Sequence, residues 1–83
     1  MNVDVEKWKD VLTTVGRILY VMGKLGVTEA RVSELRSYVG SGVYQALISG
    51  VKRGMWNYSI DDNKITLTEK GVAYARALAK LSL

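Results

Sequence analysis

The sequence predicts an α+β domain: three helices, then a two-stranded β-hairpin, then a C-terminal helix. Three observations predict it. Apolar residues recur at spacings of three and four as far as Lys52. From Met55 to Leu67 the spacing changes to two. Eight glycines and no prolines separate the pieces, so the chain is cut by turns and caps rather than by rigid linkers.

The first helix is expected from about Asp4 to Leu25, within an N-terminal region covering residues 1–26. Trp8, Val11, Leu12, Val15, Ile18, Leu19, Met22 and Leu25 line one helical face. Asp4 and Glu6 suit its first turn and Lys24 its last, as the helix dipole favours. Gly26 can close it in a left-handed conformation. Gly16 inside it costs about 1 kcal/mol relative to alanine, which implies a close approach at that point. Val3, Tyr20 and Val21 fall off the main stripe, and a helix apolar on more than one side calls for a second partner.

Val27 to Val32 connects to the next helix and can pair as a short strand. Ser33 can cap a helix from Glu34 to Val39, with Leu35 and either Tyr38 or Val39 inward. Gly40 ends it, and Ser41 can cap a third helix from Gly42 to Lys52. Two short helices joined by a tight glycine turn make a helix-turn-helix unit over residues 33–53. Gly54 ends the third helix. Trp56, Tyr58 and Ile60 then alternate with polar residues, as do Ile65 and Leu67, giving a hairpin over residues 55–67. Asp61-Asp62-Asn63 forms its turn, and Asn63 can take the left-handed position. Thr68 caps a last helix, Glu69 to Leu81, whose inner face of Val72, Ala75 and Ala79 is small enough for a close helix neighbour. Trp8 and Trp56 read as core anchors, Trp56 against Ile65 or Leu67.

Ser41-Gly-Val-Tyr-Gln-Ala-Leu-Ile-Ser-Gly-Val-Lys-Arg-Gly54 resembles the recognition-helix segment of winged helix-turn-helix regulators. Ile65-Thr-Leu-Thr-Glu-Lys-Gly71 resembles the end of the wing in the MarR- and PadR-like families, and Val32-Ser-Glu-Leu35 resembles the start of their second helix. The resemblance runs from Val27 to Leu81 and is nearest to small archaeal or archaeal-virus members. It implies a single winged-helix domain over 1–83 with the hairpin as the wing. It also implies double-stranded DNA as partner, a recognition helix in the major groove, and a homodimeric transcriptional regulator. Dimerisation falls to the N-terminal or C-terminal helix, and the off-stripe residues of the first helix fit that role.

Mapped by motif position, Val43, Ala46, Leu47 and Gly50 face the core, while Tyr44, Gln45, Ser49 and Lys52 face outward with Arg53 at the end. Gln45 suits a paired hydrogen bond to adenine. Ser41, Tyr44 and Ser49 can reach phosphates or base edges, and Ser41 lies where a helix start favours a phosphate oxygen. Arg31, Arg36, Lys52 and Arg53 supply phosphate attraction. The formal charge of +4 is distributed unevenly. Residues 1–30 are neutral; residues 31–54 carry those four cations against Glu34. Residues 55–67 set Lys64 against Asp61 and Asp62, and residues 68–83 set Lys70, Arg76 and Lys80 against Glu69.

Two features oppose DNA. The hairpin turn is acidic and would repel phosphate. Tyr44, Ile48 and Val51 can form an apolar strip on the third helix, which is more typical of a protein-binding surface, unless Ile48 or Val51 packs on the hairpin or the second helix. The alternative function is therefore a protein–protein interaction module, an adaptor or complex subunit. RNA binding ranks behind both, because no exposed aromatic platform is evident.

Composition argues against catalysis. With neither cysteine nor histidine there is no thiolate, no imidazole base and no zinc–sulfur site. Asp61 and Asp62 fit a solvated turn better than an acid–base pair, and Gly40-Ser41-Gly42 lacks the context of a phosphate-binding loop. The expectation is no enzyme, no cofactor and no metal. No apolar run approaches membrane length, and the acidic start Met-Asn-Val-Asp is unlike a signal peptide, so the expected location is cytoplasmic.

Overall fold

Thr13 decides where the first helix begins. Its backbone is extended, its hydroxyl accepts a hydrogen bond from the Gly16 amide at 3.1 Å, and the helix α1 runs Thr14–Leu25 behind it. The computed structural model, which describes residues 3–81, therefore corrects the expected helix from Asp4. Glu6–Trp8 is a separate 3₁₀ turn. Asp4 and Glu6 belong to that segment, not to the first turn of α1. Val11, which fits the helical stripe by spacing, stands 69% exposed. Trp8 is buried as expected, but from outside α1: its ring meets Tyr20 edge-on, 5.7 Å between centroids. Met1 and Asn2, which the signal-peptide and N-terminal helix expectations include, lie outside the described residues.

The other elements are β1 (Glu29–Arg31), α2 (Val32–Val39), a 3₁₀ turn Gly40–Gly42, α3 (Val43–Lys52), β2 (Trp56–Ser59), β3 (Lys64–Leu67) and α4 (Glu69–Ala79). The hairpin is not an isolated two-stranded ribbon. β1 pairs with β3 to make a three-stranded antiparallel sheet in the order β1-β3-β2, with Ala30 opposite Ile65 and Trp56 opposite Leu67. The Leu67 amide donates to the Thr28 carbonyl just before β1 and the Val32 amide donates to Asn63 just after it, so β1 is bracketed by the hairpin.

Two expected caps are absent. α2 starts at Val32 with extended Arg31 before it, and α3 starts at Val43 after the 3₁₀ turn; neither Ser33 nor Ser41 makes a capping bond. Both serines stay exposed. The glycine stops hold: Gly26, Gly40 and Gly54 have φ of 70°, 78° and 73°, the left-handed values that side chains disfavour. Asn63 takes the same region at φ 49°. Ile60 does not continue the inward alternation; it sits in the hairpin turn, 80% exposed. Thr68 caps α4 as expected, accepting from the Gly71 amide at 3.1 Å, but the helix ends at Ala79 rather than Leu81.

The core gathers Ile18, Val21 and Met22 of α1, Val32 and Leu35 of α2, Val43 of α3, and Trp56 and Ile65 of the sheet. Val3, Tyr20 and Val21 are buried within this one chain. The second partner that α1 calls for is thus the chain's own fold. The close approach expected at Gly16 lies instead at Gly23. A Cβ at Gly16 would meet only ordinary contacts, whereas one at Gly23 would overlap the Ala75 carbonyl of α4. Among the described residues no helix is long and apolar enough to cross a membrane.

Candidate nucleic-acid interface

The helix α3 is fixed by its inner side. Val43, Ala46, Leu47 and Gly50 are buried, as the period of 3.6 requires. Trp56, the first residue of β2, lies against this face. Its indole N–H donates to the Leu47 carbonyl at 3.1 Å, and a Cβ at Gly50 would overlap its ring. The following end is tied to α4: Thr68 donates its hydroxyl proton to the Gly54 carbonyl, and Lys70 Nζ donates to the Arg53 carbonyl at 2.9 Å. α3 therefore cannot roll or slide without breaking buried contacts.

Its outward side divides into two flanks. One faces the start of α1. There Gln45, Ser49 and Arg53 line a cleft of about 180 Å³ with Thr13 and Thr14. The other faces β2. There Tyr44, Leu47, Ile48 and Val51 line an apolar groove of about 470 Å³, with Tyr58 as the opposite wall and Lys52 at its rim. Ile48 is 64% exposed, Tyr44 53% and Val51 44%. Neither Ile48 nor Val51 is absorbed by the hairpin or by α2, so the strip is a real surface feature.

The sequence-assigned residues divide accordingly. Tyr44, Gln45, Ser49, Lys52 and Arg53 are brought together on or at the end of α3, all exposed except Ser49, which is half-buried. Arg36 joins them from α2, its guanidinium 5.9 Å from the Tyr44 ring centroid, a cation–π distance. Ser41 is exposed on the 3₁₀ turn ahead of α3. Arg31 stands apart. It shares a cleft at the β1 side of the sheet with Glu29, Glu34, Asp62 and Lys64, where Lys64 pairs with Glu29 at 3.5 Å. Of the acidic turn, Asp62 belongs to this mixed-charge region. Asp62 is further held by Ser59, whose hydroxyl donates to its carboxylate at 3.3 Å.

Residues missed from sequence are Thr13 and Thr14, which border the polar flank, and Leu47 and Tyr58, which complete the apolar one. Two adjacent threonines ahead of Val15 were a cap signal, hidden by the apolar spacing that continues back to Trp8. No family model matches the chain, and no curated relative matches it either.

Proposed function

We propose that the chain is a winged-helix protein that binds double-stranded DNA, with α3 as recognition helix in the major groove, the β2–β3 hairpin as wing, and transcriptional regulation as its role. One observation carries this: α3 is rigidly seated and holds Gln45, Ser49 and Arg53 on one open flank, with Lys52 exposed beside them at the rim of the other. Amide and hydroxyl groups suit base edges, and the two cations suit phosphate. The order of helices, strands and wing, and the concentration of positive charge over residues 31–54, support the same reading. The acidic turn is compatible with it because Asp62 shares its cleft with two cations, Arg31 and Lys64, while the turn meets the groove wall through the neutral Asn63, whose side-chain oxygen accepts from the Tyr58 hydroxyl at 2.8 Å.

Fluorescence anisotropy with duplex DNA at about 50 mM salt tests the proposal. Micromolar binding that weakens steeply with salt is the expected result. No duplex binding at micromolar protein overturns it.

The apolar groove favours a second reading, an adaptor or complex subunit that docks a protein on Tyr44, Ile48 and Val51. It prevails if Ile48→Glu abolishes cellular function while Lys52→Glu with Arg53→Glu leaves it intact. The homodimer proposal now rests on α4, where Tyr74 is half exposed, since the surplus apolar residues of α1 are covered internally. Light scattering of the free protein decides that point.

A further inference from the structure

We infer that the apolar strip of α3 reads thymine, so that the DNA target is rich in A·T pairs and Ile48 is its specificity-determining residue. The inference rests on the DNA-binding proposal and accounts for the feature that most opposes it. Tyr44, Ile48 and Val51 follow one another at spacings of four and three, on one side of the helix. At about 1.5 Å per residue they span about 10 Å, close to three base steps of about 3.4 Å. Such a lane matches a run of thymine 5-methyl groups, the one apolar feature of the major-groove edge.

The neighbours of the strip decide between this occupant and a protein. Gln45 lies three residues before Ile48 and is exposed on the same outward side. Its amide complements adenine N6 and N7, which every A·T pair presents beside the thymine methyl. Against an apolar protein surface reaching past Ile48, that amide would be stripped of water without a partner, which is costly. Cations stand at both ends, Arg36 beside Tyr44 and Lys52 at the groove rim. An apolar lane between cations suits a polyanion whose groove floor carries methyl groups. A second copy would set those cations against each other. At a G·C pair the cytosine amino group would face Ile48 and lose hydrogen bonding, so the strip also discriminates against that pair.

The test compares a short all-A·T duplex with the same duplex carrying uracil in place of thymine, a change that removes only the 5-methyl groups. Anisotropy titrations use the full chain. Wild-type protein is expected to bind the thymine duplex about threefold to fivefold more tightly for each methyl it covers, the value of burying one methyl group. Ile48→Ala, at a solvent-exposed position, is expected to bring the ratio towards one. Lys52→Ala is expected to weaken both duplexes equally and leave the ratio unchanged. Equal affinity of wild-type protein for the two duplexes overturns the inference while the DNA-binding proposal stands. A thymine preference that survives Ile48→Ala also overturns it, because the preference then arises from duplex shape. If neither duplex binds, both proposals fail and the groove passes to a protein partner.

Discussion

The two flanks of α3 share one backbone and differ in chemistry. The flank towards α1 is amide, hydroxyl and guanidinium, beside the two threonines that start α1. The flank towards β2 is aromatic and aliphatic, with Tyr58 as its far wall. Both depend on the same inner contacts, the Trp56 ring against Gly50 and its indole bond to Leu47. The comparison teaches that anchoring and recognition are separable here. Substitutions on the inner side remove both flanks together; substitutions on the outer side remove one at a time.

The largest effect is expected at the shared anchor. Trp56→Ala should cost about 3–5 kcal/mol of stability, a large share of the roughly 4–12 kcal/mol that a domain of this size holds at about 0.05–0.15 kcal/mol per residue. Chemical denaturation measures it, and a loss under about 1 kcal/mol would show that the flanks do not share this anchor. Next come the two cations at the end of α3, Arg53 on the polar flank and Lys52 at the rim of the apolar one. Lys52→Ala with Arg53→Ala should weaken duplex binding about tenfold to a hundredfold, with the melting temperature nearly unchanged and the slope of log affinity against log salt reduced by about two. An unchanged slope would remove these cations from the phosphate contacts. Thr13→Ala comes third. Losing that cap should cost about 1 kcal/mol in unfolding free energy and fray the start of α1, raising amide exchange at Gly16. The smallest effect belongs to the turn. Asp61→Asn with Asp62→Asn should raise duplex affinity by less than about threefold at physiological salt, since both carboxylates are solvent-exposed and screened. A larger rise would bring the turn into contact with DNA.

Several readings governed by local residues held, although the Ser33 and Ser41 caps did not form. The buried face of α3 follows from Val43, Ala46, Leu47 and Gly50. Asn63 follows from turn chemistry, and the α4 cap from Thr68 ahead of Gly71. Where the outcome depends on a distant neighbour, the reading fell short. Trp8, Val11 and Leu12 continue the helical spacing of α1, yet Thr13 starts the helix and the segment before it buries Val3, Val5 and Trp8. β1, Glu29-Ala30-Arg31, falls within the stretch expected to pair as a short strand, but it is too short and polar to show by alternation that its partner is β3. Gly16 and Gly23 are equivalent by propensity; only the path of α4 makes Gly23 the tight one. For the candidate site, the outward residues of α3 were legible from the helical period. The groove was not, because its second wall, Tyr58, comes from a strand whose placement is tertiary.

The two tryptophans have a practical consequence. Trp56 donates its indole proton to a main-chain carbonyl of α3, whereas the buried Trp8 indole nitrogen has no hydrogen-bond partner among the described residues. Their indole protons should therefore give separate resonances, one reporting the N-terminal segment on Tyr20 and the other the seating of α3. A titration that moves the second and spares the first would locate a ligand on α3 without any added label.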